Sequence, residues 1–474
     1  MRTEIVDPYV GNFVKSLREI GYTFEVAVAD VLDNSITAYA NNINILVLPD
    51  PEKIFMMLDD GVGMSEGELI NSMRLAANDP DLIREEHDLG KFGLGLKTAS
   101  FSQCKKLTVI SKKNNNICIK QWDLDFISKE NKWLLITPEL EDYSDYPLFS
   151  DLFEQDSGTL VIWENIDSFS TEELTTKIYD LKNHLSLVFH NFMEGKAPNK
   201  QKINITVNMD PIKPFNPFNP NHKATQELEV EKITFKNAII KVQPFILPHH
   251  SKLSQQEFDR YATPQGYTQS QGFYLYRGNR LLIHGTWWGM HKMRDAHRLV
   301  RIKIDIPNSQ DAEWGIDIKK STAKPVLQIK NDLKRIIHQV TIKGSRPYTG
   351  RGRIIKDSTI IRFWNLEARP EGQKFVLNRQ NPILKDLLDN LDVEKVKLLN
   401  LFLMGVEGYL PLDTITAQLY SKPHELRQEP ELSNEELGQL VESWRETGIS
   451  EDFIGELLKT EIFLNNKEFV IDEK

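Results

Sequence analysis

Three short polar motifs follow one another in the first quarter of the chain, and their order constrains the fold more than any other feature of the sequence. The first is Asp30 followed four residues later by Asn34, and the second is the run DDGVGM at residues 59–64. The third is the glycine-rich run GKFGLGLKT at residues 90–98. Any one of them is a weak signal, whereas the ordered set is a strong one.

The first motif lies in a segment that predicts a helix. Residues 25–40 are rich in Ala, Val and Leu and contain neither Gly nor Pro. Residues four apart lie on one face of a helix, so Asp30 and Asn34 project together. A carboxylate can orient and deprotonate a water for attack on a γ-phosphate, and an amide oxygen can complete the octahedral shell of Mg²⁺. A half-buried helix with two exposed polar residues is the alternative.

The second motif follows an apolar run, IFMML, that predicts a strand ending at Asp59. A carboxylate there can accept a hydrogen bond from the exocyclic amino group of adenine. Gly61 and Gly63 let the backbone approach a base closely, and Met64 offers it a soft apolar surface. An ordinary Asp-Gly turn after a strand is the alternative.

The third motif predicts an anion site, because backbone N–H groups of a glycine loop and a following helix N-terminus attract phosphate. Lys97 and Thr98 would add a positive charge and a hydroxyl. The run is not a Walker loop, since Leu96 separates Gly95 from Lys97. It also lacks the third glycine of a dinucleotide fingerprint, where Thr98 stands.

Together the motifs resemble the nucleotide site of the GHKL ATPases, the superfamily of gyrase B, heat-shock chaperones, histidine kinases, MutL and MORC proteins. The resemblance implies an α/β fold (an α+β sandwich of the Bergerat type), with ATP and Mg²⁺ as ligands. It implies a lid at residues 65–89 and a pocket floor closed by the Gly158-Thr159 strand. It implies Asn34 as the Mg²⁺ ligand and the following nucleotide-binding residues: Asn34, Asp59, Gly61, Gly63, Met64, Gly90, Lys91, Phe92, Gly93, Leu94, Gly95, Leu96, Lys97, Thr98 and Thr159.

Within that superfamily the continuation LGKFGLGLKTASFSQC is similar to MORC-like ATPases, and GFYLYRGNRLLI at residues 272–283 resembles a strand of their transducer domain. A transducer lysine reaches the γ-phosphate in the family, which implies Lys320 or, second, Lys324. Most relatives carry Glu as the catalytic base, whereas this chain has the shorter Asp30. Slow hydrolysis is the expected consequence.

The resemblance and the length of 474 residues predict three regions. They are an ATPase domain at residues 1–170, a transducer-like (ribosomal S5-type) α/β domain at residues 171–335, and a mixed, partly helical region at residues 336–474. Strands are predicted at INILVLP, IFMML, KLTVIS, ICIKQW and TLVIW. A capping pattern predicts a helix after Ser170 and another after Ser433, and residues 362–391 predict two strands and a helix.

No apolar run approaches the roughly 20 residues of a membrane span, and residues 1–20 do not resemble a signal peptide. Only Cys104 and Cys118 occur, which excludes a disulfide framework. A cytoplasmic protein without membrane contact is therefore expected. The net charge of −10 argues against a wholly basic nucleic-acid-binding surface.

Residues 334–356 nevertheless form a basic segment without acidic residues, and this segment either follows DNA phosphates or is an ordinary solvated loop. The resemblance implies a nucleotide-dependent homodimer that clamps DNA, with helicase or nuclease partners in bacterial antiviral defence. A chaperone acting on protein clients is the alternative. A signalling kinase ranks last, because the site begins too early to leave room for an upstream phospho-accepting helix.

Overall fold

In the computed structural model of the chain, the described residues are 3–4, 9–49, 52–75, 95–196, 202–317, 319–349, 360–369, 372–421, 425 and 432–463. The chain divides into two compact units. The first comprises Met1–Pro248 with Tyr261–Gly344, and the second comprises His249–Arg260 with Ser345–Lys474.

The α-helices are distributed along the whole described chain. They are α1 Val10–Arg18, α2 Phe24–Thr37, α3 Glu66–Met73, α4 Gly95–Gln103, α5 Leu124–Glu130, α6 Phe149–Glu154, α7 Leu174–Val188, α8 His190–Met193, α9 Gln255–Ala262, α10 Gly266–Gln269, α11 Leu327–Thr349, α12 Pro382–Asn390, α13 Val393–Gly408, α14 Leu412–Ser421, α15 Asn434–Glu446 and α16 Glu451–Leu458.

Within the part of the chain that the structure describes, the strands form three sheets. They are β1 Asn42–Leu48, β2 Ile54–Asp59, β3 Cys104–Lys113, β4 Asn116–Asp123, β5 Gly158–Ile166, β6 Asn204–Val207, β7 Asp210–Pro211, β8 Gln226–Glu227, β9 Glu231–Phe235, β10 Ala238–Ile246, β11 Gly272–Arg277, β12 Arg280–Thr286, β13 Val300–Ile306, β14 Trp364–Arg369 and β15 Gly372–Leu377.

The N-terminal sheet has seven strands in the order β4-β3-β5-β2-β1-β6-β7. Both of its faces are covered, and the side chains of β2 show how. Phe55 and Met57 pack into one core with α2, α4 and α7, whereas Met56 and Leu58 pack into another with α6. Successive side chains of a strand point to opposite faces, so the continuous apolar run IFMML is what a strand buried on both faces requires.

Helix α2 lies in the larger core through Ala27, Val28, Val31 and Leu32. Most of its polar positions, including Asp30 and Asn34, lie on the part of its surface that borders a cavity. The helix predicted at residues 25–40 is confirmed as Phe24–Thr37.

The second sheet has six strands, with β12-β11-β13-β10-β8 in order and β9 paired to β10. Strands β11 and β12 form a hairpin in which Arg277 pairs with Arg280 across Gly278 and Asn279. Both turn residues have positive φ, +56° and +68°, which is the two-residue turn that matches strand twist. Residues paired in this way point to the same face of the sheet, so the turn presents both arginines on one face.

In the second unit, β14 and β15 form a two-stranded sheet and α15 packs with α16 through Leu437, Val441 and Ile454. The two predicted strands and helix at residues 362–391 are confirmed by β14, β15 and α12. The capping boxes at Ser170 and Ser433 are also confirmed, as are the five predicted strands of the N-terminal sheet, β1–β5.

The α/β fold class is confirmed, because helices cover the faces of a mixed sheet and a second α/β region follows. Within the described residues, none of the helices combines the length and the apolar character that crossing a bilayer would need.

Candidate functional site

A cavity of about 430 Å³ opens beside α2 in the first unit. Residues from α2, from the end of β2, from α4 and from the loop before α11 line it. Ten of the predicted site residues are among the lining residues: Asp30, Asn34, Asp59, Gly63, Met64, Gly95, Leu96, Lys97, Thr159 and Lys320. The cavity therefore brings all three motifs together, together with a lysine from the second α/β region.

Three predicted residues are not in the cavity lining, and five lie outside the described residues. Thr98 is fully buried and hydrogen-bonded to the Tyr22 side chain. The amide of Gly61 donates to Asp59, and the amide of Lys324 donates to the Trp314 carbonyl. The glycine loop from Gly90 through Lys91, Phe92 and Gly93 to Leu94 lies outside the described residues, as does most of the predicted lid.

Asp59 lines the cavity from the end of β2. Ser35 Oγ donates to its Oδ2 over 2.7 Å, and the Gly61 amide donates to its Oδ1 over 3.0 Å. Burial raises the pKa of the Asp59 carboxyl to about 6, and the bonds from Ser35 and Gly61 oppose that rise. An acceptor held in this way can recognise an amino group on an aromatic base.

Asp60, the next residue, has a different role. Its Oδ1 accepts the amides of Asn41 and Asn42 over 2.6 and 2.9 Å, and its Oδ2 accepts the Asn42 side chain over 2.7 Å. These bonds join the end of β2 to the start of β1. Asp60 therefore stabilises the sheet edge, while Asp59 borders the cavity.

Two glycines in this region have no room for a side chain. Gly63 has φ +65°, and a Cβ there would lie 1.9 Å from the Lys112 carbonyl oxygen. A Cβ on Gly158 would lie 2.3 Å from the Asp59 carbonyl oxygen. The DDGVGM loop therefore passes directly over β3 and β5, and Met64 is fixed there by a 2.8 Å bond from its amide to Ser111 Oγ.

Thr159 lies in the cavity floor. It pairs with Asp59 across β5 and β2, and its hydroxyl shares a 2.9 Å hydrogen bond with that of Ser111. Since Ser111 Oγ is also 3.0 Å from the Gly158 carbonyl, Thr159 belongs to a small polar network at the edge of β3 and β5.

Two buried carboxylates, Asp30 and Asp33, also line the cavity from one face of α2. Arg280 donates from Nε to Asp33 Oδ1 over 2.8 Å and from Nη2 to Asp30 Oδ1 over 3.2 Å. Lys320 Nζ lies 3.2 Å from Asp30 Oδ1 and also pairs with Asp33. Two cations from the second α/β region therefore balance two acids of α2.

Asp30 is also bonded from a third side. The Tyr22 hydroxyl donates to its Oδ2 over 2.9 Å. Burial raises the pKa of the Asp30 carboxyl above its ordinary value, while Lys320 and Arg280 act in the opposite direction. Burial also raises the pKa of Tyr22, so the phenol stays protonated as a donor.

The backbone around Lys320 explains how this lysine reaches α2. Lys320 has φ +54°, an unusual value for a residue with a side chain. The Asp317 side chain holds the turn by accepting the amides of Ser321 and Thr322 over 2.7 and 2.9 Å. The turn thus places one lysine of the WGIDIKKSTAKP run in the cavity.

Lys97 lies on the α4 side of the cavity. Its Nζ donates to the Ser72 carbonyl at the end of α3 over 2.6 Å, and burial lowers the pKa of its ammonium to about 8. A lysine that is largely desolvated yet still mostly charged at neutral pH suits an anionic ligand.

Asn34 is exposed and borders the cavity. Its Nδ2 donates to the Asp30 carbonyl over 3.4 Å, one turn back in α2, so its amide oxygen is the atom suited to bind a cation. Among the described residues there is no group of three or more His, Cys, Asp or Glu side chains that could hold a metal by itself.

Sequence reasoning missed two features of the site. Arg280 was part of the quoted transducer segment, but no local pattern distinguishes it from an ordinary strand arginine. The second is the buried ion pair between Arg277 and Asp311, with Nη2 and Oδ2 2.8 Å apart, which also borders the cavity. Asp33 contacts both cations, Arg280 and Lys320.

Comparison with known proteins identifies the class. Residues 22–159 match the family model described as histidine kinase-, DNA gyrase B- and HSP90-like ATPase. This span contains all three motifs, and the N-terminal part of the chain is an ATPase domain of the GHKL type.

A narrower likeness concerns one relative. Over 107 residues, which are 22% of the chain, the sequence is 28% identical to ATPase morc-1 of Caenorhabditis elegans. That stretch spans only 12% of the relative's own length. The GHKL-type assignment thus applies to residues 22–159, and the likeness to a MORC ATPase applies to a stretch of 107 residues.

Proposed function

We propose that this chain hydrolyses Mg²⁺-bound ATP in the cavity beside α2 and uses the reaction as an ATP-gated, dimeric clamp on DNA. One observation carries the proposal. Lys320, from the second α/β region, bonds to Asp30 on α2, in the same cavity that contains Asp59 and Lys97. A ligand with a terminal phosphate at this place would contact both regions, which couples occupation of the site to their arrangement.

Each residue has a distinct role in the proposed reaction. Asp59 accepts the adenine amino group, and Lys97 and Lys320 offer positive charge to the phosphates. Asp30 accepts a proton from a water whose oxygen forms a bond to the γ-phosphorus. The bond between that phosphorus and its bridging oxygen breaks, and ADP leaves with the electron pair.

The residues present fit a magnesium ion. Mg²⁺ keeps several waters and is held by one or two protein oxygens together with substrate phosphates, and Asn34 supplies such an oxygen at the cavity surface. Asp30 and Asp33 are occupied by cations from the protein, whereas Asn34 is exposed at the cavity, and we assign the ligand role to Asn34. When bound, the ion would neutralise charge on the phosphates.

The proposal that DNA is the substrate rests on the MORC-like sequence and on the basic segment at residues 334–356. Arg351, Arg353 and Lys356 lie outside the described residues. Arg335 is paired with Glu231 over 2.5 Å, so it is a weaker candidate for a phosphate contact. Arg351 and Arg353 are therefore the residues to test.

An exposed apolar face in the second unit favours the alternative, a chaperone with protein clients. Helix α13 has no buried residue, and several of its large apolar side chains are exposed, among them Leu398, Leu401, Phe402 and Met404. Apolar patches of this kind mark contacts with other proteins. A helicase or nuclease partner of a DNA clamp would also explain the patch.

Stimulation of ATP hydrolysis separates the two functions. A DNA clamp is expected to hydrolyse ATP faster with duplex DNA, with an effect that weakens as salt rises, and to lose this stimulation when Arg351 and Arg353 are changed to Glu. Stimulation by an unfolded protein but not by DNA would support the chaperone. Dimer formation is checked by light scattering with a non-hydrolysable ATP analogue.

A further inference from the structure

Given the proposed reaction with Asp30 as the base, we propose that Arg280 is the positioning residue that holds Asp30 and Asp33 in place when Lys320 turns to the nucleotide. In this role Arg280 does not touch the substrate. It acts through the two carboxylates of α2.

The geometry of Arg280 suits this role. One guanidinium spans both acids, with Nε 2.8 Å from Asp33 Oδ1 and Nη2 3.2 Å from Asp30 Oδ1. The planar, rigid guanidinium fixes the orientation of the carboxylates as well as neutralising their charge, whereas a lysine ammonium would not fix their orientation. The side chain is 4% exposed and lies over the Phe189 ring, with 5.7 Å between the guanidinium carbon and the ring centroid.

In the arrangement described here, both oxygens of Asp30 are already occupied. Tyr22 donates to Oδ2, and Arg280 and Lys320 both contact Oδ1. A carboxylate with these contacts has little capacity to accept a proton from water. One partner must withdraw before Asp30 acts as a base.

Lys320 is the partner able to withdraw. It sits in the turn before α11 and is more exposed than Arg280, 10% against 4% for the side chains. Arg280 begins β12 directly after a two-residue turn, and the Asn279 carbonyl of that turn accepts a 3.1 Å bond from Asn191 on α8. Arg280 is therefore held at the start of a strand, whereas Lys320 reaches the acids from a loop.

Charge then makes Arg280 necessary. Once Lys320 leaves, Asp30 and Asp33 form a buried pair of acids with Arg280 as the cation that contacts both. Two such carboxylates repel each other when no cation lies between them. Asp30 is also one methylene shorter than Glu. If its carboxylate is displaced, the short side chain cannot extend far enough to restore the contact with water.

The test measures kcat, KM and the affinity for a non-hydrolysable ATP analogue with Mg²⁺, using the full chain. The variants are Arg280→Lys and the double variant Arg280→Gln with Asp33→Asn, which removes one buried charge of each sign and so protects folding. Arg301→Lys is the matched control. Arg301 is equally buried in the same sheet, and its guanidinium donates to the carbonyls of Pro217 and Tyr261.

The expected result is a loss of kcat without a loss of binding. The double variant should bind the analogue within about threefold of the wild type and lose about 100-fold in kcat, the scale of a misplaced catalytic group. Arg280→Lys should lose about tenfold, and Arg301→Lys should keep its kcat. Since a purely structural role would lower binding and kcat together, that outcome would overturn the inference, as would a double variant that hydrolyses ATP normally.

Failure of the proposed function has a different signature. A wild-type chain that neither binds the analogue nor hydrolyses ATP would overturn both the proposed function and the inference. A wild-type chain that turns over ATP, with variants at Arg280 that do the same, would overturn the inference alone.

Discussion

Lys320 Nζ lies 3.2 Å from Asp30 Oδ1, although 290 positions separate the two residues in the chain. The contact joins the turn before α11 to helix α2, and both residues line the cavity that also contains Asp59. A base and a phosphate-sensing lysine that bind each other before the nucleotide arrives would keep the site inactive.

The first prediction separates the two candidate lysines. Lys320→Ala should lower kcat by about 100-fold, the usual effect of removing one donor to a transition-state charge, while Lys324→Ala should leave it unchanged. Steady-state ATP hydrolysis measures both. The two variants are matched, because they remove the same side chain from the same loop. Equal losses of kcat in the two variants would contradict the prediction that Lys320 is the lysine that contacts the phosphate.

The second prediction concerns the base. Asp30→Asn keeps the shape of the side chain and its contact with Tyr22 but cannot take a proton from water. We expect nucleotide binding to persist while kcat falls by about 10²–10⁴-fold, and the ATP-bound dimer to accumulate. Calorimetry, hydrolysis and light scattering measure these quantities. Normal hydrolysis by this variant would place the base elsewhere.

The third prediction concerns magnesium. Asn34→Ala should weaken binding of the Mg²⁺-bound analogue by about 100-fold, since an oxygen bound to a cation is lost. Chelating the metal should weaken binding to the wild type in the same way. It should add little to the effect of the variant, because both remove the same interaction. Independent, additive effects would argue against Asn34 as the ligand.

The fourth prediction concerns pH and the adenine end of the cavity. The pKa of Asp59 is about 6, and only the ionised carboxylate is a pure acceptor. ATP affinity should therefore fall as pH drops through about 6. Asp59→Asn should weaken affinity about five- to tenfold at pH 7.5 and remove this pH dependence. The carboxylate of Asp60 binds the sheet backbone, so the variant Asp60→Asn should keep the pH dependence of ATP affinity.

The raised pKa of Asp59 also affects the pH dependence of stability. The effect has the opposite sign to that of an acid whose pKa is lowered by a salt bridge. The folded, nucleotide-free protein favours the protonated form of Asp59. The stabilisation from protonated Asp59 is fully present below the pKa of the unfolded state, 3.8, and is lost as the pH rises through about 6. The ionised carboxylate therefore lowers the free energy of unfolding by about 3 kcal/mol at neutral pH. Relative to wild type, Asp59→Asn should gain roughly 1 kcal/mol in unfolding free energy between pH 5 and 8. A constant difference would contradict this.

Local sequence patterns predicted much of the site, because each pattern lies within one helix or at the end of one strand. The four-residue interval between Asp30 and Asn34 matches one helical turn of α2, and the apolar run before Asp59 is a strand buried on both faces. The patterns did not show which of two adjacent residues in one element borders the cavity. Lys97 borders the cavity, whereas Thr98, the next residue of α4, is fully buried.

The sequence by itself determined the three motifs and the elements that carry them, because helix and strand periodicity and glycine freedom are local properties. Only the tertiary structure decided which distant cations meet the acids of α2. Arg280 contacts Asp33 across 247 positions of the chain, through a hairpin turn whose tip is held by α8. No periodicity records such a contact, since it depends on how two sheets pack and on which buried charges balance one another.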